Sequence, residues 1–325
     1  MEKIKLFQLA ERYDKLFSKE DMLAVNKHGK IRKYSSSEYI QTTNNIAYGL
    51  LNLGINKNDK ICIISNNRPE WSLVDMGINK IGAINAPIYP NITKEEYKYI
   101  INDCSAKIVF VGSKEIYKNI RGLINEIDSL KYVFSFDEID NVNNWMEIVE
   151  SGVRNPQHDK MKSIQNKING NDLFTLIYTS GTTGKPKGVM LNHSNVISQL
   201  TTLTDRLPVG MDDRAISFLP LCHVFERMIE YFYMYKGVSI YYARSLETLG
   251  EDLREIRPTI MPTVPRLLEK VYDKILTKGA DLTGIKKKLF FWAVELGLKH
   301  EYNKANGFWY ELQLSIANKI IFKKW

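Results

Sequence analysis

Residues 179–188 run Thr179, Ser180, Gly181, Thr182, Thr183, Gly184, Lys185, Pro186, Lys187, Gly188: four hydroxyls, three glycines and two lysines in ten positions. Backbone N–H groups freed by glycine form concave nests for phosphate oxygens. Hydroxyls add donors and reach metal ions, and lysines offset phosphate charge. The stretch is composed like a cradle for a polyphosphate. A polar hairpin turn is the plain alternative, because the apolar segments Leu176–Tyr178 and Val189–Leu191 flank it. A Walker loop is excluded. Gly181 and Gly184 are separated by two residues rather than four, Pro186 stands where a hydroxyl would meet magnesium, and the chain leaves as a strand instead of opening a helix.

A second candidate is His223, which follows Pro220, Leu221 and Cys222 at the end of a predicted strand. Carboxyl ends of strands in α/β sheets are a common place for site residues. Glu226 and Arg227 come next and read as a surface charge pair, while the apolar run Met228–Tyr235 reads as core.

The elements that position these residues alternate. Lys60–Ser65, Ala83–Ile88, Lys107–Val111 and Tyr132–Phe136 read as strands. Helices fall between them at Pro69–Ile81, Thr93–Asp103 and Ile116–Ile127, with Pro69 in a first turn and Thr93/Glu96 as a capping box. From Asp140 to Asp172 periodicity is weak apart from Trp145–Val149, which predicts a connecting segment. Strand Leu173–Tyr178 then enters the loop and Lys187–Leu191 leaves it, before a helix capped by Ser194. Strands at Ala215–Leu219 and Val238–Tyr242 surround a helix at Val224–Tyr235, and Glu247–Ile256, Thr259–Met261 and Val264–Leu276 continue the alternation. Residues 286–325 read as helical, basic and aromatic. Alternation of this kind predicts an α/β fold, stacked parallel or mixed sheets with helices on both faces. The expected division is a first subdomain over 1–165 and a second, incomplete one over 166–325 that carries the loop.

Bulk composition agrees with a globular chain: 325 residues, 44% hydrophobic, 25% charged, net charge +8. The basic balance favours anionic partners such as nucleotides or lipid headgroups, although lysine enrichment is equally a solvated surface. Cys62, Cys104 and Cys222 are far apart in sequence, odd in number and lack CxxC spacing. They fit a reducing compartment and suit neither a zinc site nor a disulfide framework. No stretch approaches the roughly 18 to 20 apolar residues of a membrane span.

"YTSGTTGKPKGVML" (178–191) resembles the phosphate loop of the adenylate-forming enzymes, the acyl-CoA synthetases among them. "NNRPEWSLVDMGINKIGAINAPIYPNIT" (66–93), "FLPLCHVFER" (218–227) and "RPTIMPTVPRLLEKVY" (257–272) resemble segments of the long-chain type. The resemblance implies ligation of a long-chain fatty acid to coenzyme A through an acyl-adenylate, with ATP and Mg2+. It implies that Thr179, Ser180, Thr182 and Thr183 donate to β- and γ-phosphate oxygens. Gly181, Gly184 and Gly188 would permit close backbone approach, and Lys185 and Lys187 would supply charge. It sets His223 beside the acyl carboxylate and α-phosphate, and it names no metal ligand. The expected partners are fatty acid, ATP and CoA, not nucleic acid, in a cytoplasmic protein.

The family pattern also calls for a Tyr-Gly-x-Thr-Glu motif and a Thr-Gly-Asp motif farther on, and residues 276–325 contain neither. The chain reads as the N-terminal half of such a ligase and is expected to be inactive alone, with a non-catalytic nucleotide- or partner-binding module as the alternative. An unfinished sheet would favour self-association. Peripheral membrane contact is a further reading, because residues 281–325 hold eight Lys against four Asp/Glu together with Trp292, Trp309 and Trp325.

Overall fold

The computed structural model describes residues 4–27, 29–179 and 184–324. In chain order the elements are α1 (Leu9–Phe17), β1 (Leu23–Lys27), β2 (Lys30–Tyr34), α2 (Ser36–Asn52), β3 (Lys60–Ile64), α3 (Pro69–Lys80), β4 (Ile84–Ile88) and α4 (Lys94–Asp103). They continue as β5 (Ala106–Val111), α5 (Lys114–Ile120), β6 (Tyr132–Ser135), α6 (Met146–Arg154), α7 (His158–Lys167), β7 (Leu173–Thr179), β8 (Lys187–Asn192) and α8 (His193–Thr204). The last are β9 (Arg214–Ser217), α9 (Val224–Lys236), β10 (Ser239–Tyr242), α10 (Leu249–Ile256), α11 (Pro265–Ala280), α12 (Gly284–Leu298) and α13 (Phe308–Ile320). Two compact units divide the chain, Met1–Pro262 and Thr263–Trp325.

The first unit carries two sheets. Six strands lie in the order β6-β5-β3-β4-β7-β8, all parallel except β8, which returns antiparallel to β7. Four more lie in the order β2-β1-β10-β9, parallel apart from the β1–β2 hairpin. The expected mixed α/β architecture is the one observed. The sheets do not part at residue 165, however: β7 and β8 join the larger sheet, and β1 and β2 join the one built from β9 and β10.

β3 shows why its strand is a continuous apolar run. Ile61 and Ile63 face the main core with Tyr39, Trp71, Phe232 and Tyr242. Cys62 and Ile64 face a second core under α4 with Tyr97, Ile101 and Val109. A parallel strand covered on both faces has no polar side to alternate.

Three expectations change. The segment 140–172 is not a plain connection, since it contains α6 and α7. α6 packs on α2 through two glycines. A Cβ on Gly49 would meet the Ile148 carbonyl oxygen at 2.0 Å, and one on Gly152 would meet the Asn45 carbonyl oxygen at 1.9 Å. Gly152, part of the composition that reads as a loop, and Gly49 of α2 are the residues that let the two backbones touch. α8 is capped by Asn192 in a reciprocal box with Asn195, and Ser194 lies inside its first turn. Residues 259–261 make only a single parallel bridge, Ala215 with Ile260. The Thr93–Glu96 capping box and Pro69 in the first turn of α3 are as expected.

The second unit is helical. Gly279 of α11 admits the Phe290 ring of α12, where a Cβ would sit 2.0 Å away. Tyr310 of α13 donates to the Leu296 carbonyl at 2.7 Å. Its buried core is small, and Ile285, Leu298, Phe308 and Trp309 are exposed. Trp325 lies outside the described residues. Among the described residues no helix is long and apolar enough to cross a membrane.

Candidate active site

The glycine-rich loop closes the β7–β8 hairpin. Tyr178 pairs with Gly188 and Thr179 with Lys187 in its last two rungs. Two contacts anchor the hairpin beneath the loop. The Tyr178 phenol donates to Asp103 Oδ2 at 2.6 Å. Its ring lies against Gly188, where a Cβ would come within 3.2 Å of Cζ. Burial and the bond to Asp103 push this phenol well above its ordinary pKa, so it stays a donor. Thr179, Gly184, Lys185 and Lys187 are exposed, and Gly184 adopts φ +90°, a left-handed conformation suited to glycine. The Lys185 ammonium stands 5.5 Å from the Tyr99 ring centroid, a cation–π distance. Ser180, Gly181, Thr182 and Thr183 lie outside the described residues.

His223 is exposed and forms the N-cap of α9, with Nδ1 accepting the Phe225 N–H at 3.2 Å. An accepting Nδ1 leaves the proton of the neutral ring on Nε2. The segment leading to His223 is held by a residue that sequence reasoning passed over. Asn67 follows β3, and its Nδ2 donates to Ser217 Oγ at 2.9 Å and to the Leu219 carbonyl at 2.6 Å. Its Oδ1 accepts the Leu221 N–H at 3.0 Å. One amide thus ties the exit of β3 to the exit of β9. Tyr89 follows β4, and its phenol is raised by burial and by nearby Cys222. Carboxyl ends of β3, β4 and β7 in the six-stranded sheet deliver Asn67, Tyr89 and Thr179, and the carboxyl end of β9 in the four-stranded sheet leads to His223; such strand ends are where ligands bind in α/β sheets.

Replacing Asn67 by alanine is expected to cost about 1–3 kcal/mol, because it leaves the Leu219 carbonyl and Leu221 N–H without their partner. Chemical unfolding measures the loss, and amide exchange at Leu221 should accelerate. A variant with parental exchange at that amide would show that Asn67 does not hold the segment.

Glu226 and Arg227 are not surface charge: they are 2% and 3% exposed. Arg227 Nη1 donates to Thr175 Oγ1 at 2.6 Å, and Nη2 pairs with Asp75. Thr175 Oγ1 donates to the Asn85 carbonyl at 2.6 Å, and Asn85 Nδ2 donates to Asp75 Oδ1 at 2.7 Å. The four residues close a ring that links α3, β4, β7 and α9. A signal was present in the sequence: Glu226, Arg227 and Glu230 sit within a segment, Val224–Tyr235, that is otherwise apolar or aromatic, so they cannot all reach water. The run itself is core, as expected, with Ile229, Tyr231, Phe232, Tyr233 and Met234 buried. A crevice between β7 and α9, lined by Phe174, Ile177, Val196, Val224 and Met228, has a volume of about 10 Å³. That is the room of a single water at most. Among the described residues no group of three His, Cys, Asp or Glu is placed to hold a metal ion.

The AMP-binding enzyme family profile matches residues 15–302. A long-chain-fatty-acid–CoA ligase of Xenopus laevis is 31% identical over 318 residues, covering 93% of this chain and 43% of that protein. Long chain acyl-CoA synthetase 3 of Arabidopsis thaliana is 30% identical over 91% of this chain and 46% of its own length. The chain spans less than half of these two curated relatives. A solved long-chain-fatty-acid-CoA ligase of Archaeoglobus fulgidus superposes with a TM-score of 0.72 at 20% identity, over 84% of this chain and 54% of that one. A fatty acyl CoA synthetase of Mycobacterium tuberculosis gives 0.70 at 21% identity, over 82% and 50%. Those likenesses establish the shared fold, and the profile match across most of the chain establishes more: this protein belongs to the AMP-binding enzyme family.

Proposed function

We propose that this chain is the nucleotide-binding part of an ATP-dependent long-chain fatty-acid–CoA ligase. The carrying observation is the glycine-, threonine- and lysine-rich loop at the carboxyl end of β7, in a chain whose relatives are named for this reaction. The fatty-acid carboxylate attacks the α-phosphorus of ATP to give acyl-adenylate and pyrophosphate, and the CoA thiolate then displaces AMP. In this reading Thr179, Ser180, Thr182 and Thr183 donate to β- and γ-phosphate oxygens. Gly181 and Gly184 admit the phosphates, and Lys185 and Lys187 neutralise them. His223 presents Nε2–H toward the carboxylate and α-phosphate. Magnesium, where bound with ATP, withdraws charge from the phosphates.

Residues 1–325 alone do not turn over, because they lack the two later motifs and residues that act as one catalytic unit are strongly non-additive. The protein works in the cytoplasm and touches membranes peripherally through its basic, aromatic segment 281–325, in which Trp309 is exposed. It self-associates along β8, an edge strand on which Val189 and Met190 are 45% and 66% exposed.

The test is titration of MgATP into purified residues 1–325, beside an assay of oleate-dependent AMP formation. Weak, saturable binding without turnover is expected. Thr182→Ala and Thr183→Ala each remove a charge-assisted hydrogen bond of about 1.5–3 kcal/mol, so affinity should fall roughly 10- to 150-fold. Unchanged affinity in both variants would reduce the loop to a turn. Saturable nucleotide binding that depends on the loop, in a protein that no added acyl substrate perturbs, would favour the non-catalytic module.

A further inference from the structure

Cys62 and Cys104 are separated by 42 positions in sequence, yet their sulfurs lie 3.9 Å apart. β3 turns Cys62 toward the core under α4, and Cys104 is the C-cap residue of that helix. Both are free thiols, 0% and 4% exposed. The Cys104 thiol is also 3.6 Å from the Ile101 carbonyl. A disulfide needs its sulfurs at about 2.05 Å, so closure by about 1.9 Å completes the bond. The last turn of α4 is the side able to make that movement, since Cys62 is fixed by ladder pairing to both β4 and β5.

We propose that Cys62 and Cys104 form an oxidation site, a dithiol that a hydroperoxide converts reversibly into an intramolecular disulfide beneath the loop hairpin. Cys104 is the attacking sulfur: it stands at the end of α4 and is 4% exposed, whereas Cys62 is 0% exposed within a strand paired on both sides. The Cys104 thiolate displaces one oxygen of the hydroperoxide, giving a sulfenic acid and releasing water or an alcohol. The Cys62 sulfur then attacks the sulfenic sulfur, forming the S–S bond and releasing water. Two thiols are oxidised and one peroxide bond is reduced. Cys222 is the internal control: it is as buried as the pair, burial pushes its thiol up to about 12, and among the described residues no second sulfur meets it.

The site has a mechanical consequence for the loop. Asp103 precedes Cys104 and accepts the Tyr178 phenol, and Tyr178 precedes Thr179. Drawing Cys104 toward β3 pulls on the anchor of the hairpin. Oxidation is therefore expected to speed amide exchange in residues 173–192.

The experiment treats residues 1–325, native and at neutral pH, with hydrogen peroxide, then alkylates and maps peptides by mass. Expected is the loss of two hydrogens' mass, one cross-linked peptide joining Cys62 to Cys104, Cys222 still alkylated, and recovery with dithiothreitol. Cys62→Ala should instead carry Cys104 on to sulfinic acid, a gain of two oxygens' mass. Cys104→Ser should leave Cys62 unoxidised. Three alkylated cysteines after treatment would overturn the site, as would a disulfide through Cys222 or between chains. Parental exchange of the hairpin in the oxidised protein would overturn the coupling.

Discussion

Arg227→Ala is expected to destabilise the first unit by about 3–5 kcal/mol, the range for removing one partner of a buried ion pair. The guanidinium lies 5.4, 5.0 and 5.8 Å from the ring centroids of Trp71, Phe174 and Tyr231, which shut out water. Burial works against its charge, and Asp75 and Tyr231 together more than offset that, holding the pKa up. Without Arg227 the Asp75 carboxylate keeps Asn85 and Tyr231 as donors but loses its counter-charge. The Thr175 hydroxyl loses a donor at the same time. Against a typical total stability of about 5–15 kcal/mol this is a large share. Urea unfolding of the purified variants is the measurement. The pair Asp75→Asn with Arg227→Met, which removes both charges, should cost less than the two single changes added together. A single-variant loss below about 1 kcal/mol would mean that the ring of hydrogen bonds does not hold α3, β4, β7 and α9 together.

What the sequence made legible follows from the kind of signal each element carries. Strands of the six-stranded sheet were readable because both faces are buried, so β3, β5 and β7 announce themselves as short apolar runs bounded by polar residues. The capping box at Thr93 was readable because both of its bonds are local. α6 was not readable, because the contact that makes it a helix lies between Gly152 and Asn45, more than a hundred residues away. The loop was legible by composition alone. Its positioning was not: Asn67 and Asp103 act across the chain, on the segment before His223 and on Tyr178, and single asparagines and aspartates carry no pattern. Glu226 and Arg227 mislead for a related reason. A Glu–Arg neighbour pair is normally solvated, and only its setting within an apolar helix shows that the fold must satisfy it internally.

That same helix makes stability depend on pH. Glu226 and Glu230 are buried one turn apart on α9. Burial pushes the Glu226 carboxyl up to about 8, with the Ser217 hydrogen bond opposing and Glu230 adding to the rise. Burial pushes Glu230 up to about 7, with Asp75 adding and Ser72, Tyr242 and Arg227 opposing. Oε2 of each carboxyl has no hydrogen-bond partner, which makes the anion the costlier form. A carboxyl with a raised folded-state pKa binds its proton more tightly in the folded chain than in the unfolded one. Its contribution is therefore fully present below the unfolded value of 4.5 and is lost as pH rises through the folded value. His193 has the opposite sign. Burial lowers it from 6.5 to about 4, so its contribution is lost as pH falls through that window. One histidine offsets one of the two glutamates below pH 6.5 and neither above it. At about 1.36 kcal/mol per proton per pH unit, the three groups together predict a fall on the order of 5 kcal/mol between pH 4.5 and 8. Urea unfolding across that range measures it. Glu226→Gln should match the parent within about 1 kcal/mol at pH 5 and exceed it by several kcal/mol at pH 8, because the amide has no proton to lose. A parental profile that stays flat or rises between pH 5 and 8 would show that these carboxyls ionise without cost. A Gln variant as steep as the parent would place the titrating group elsewhere.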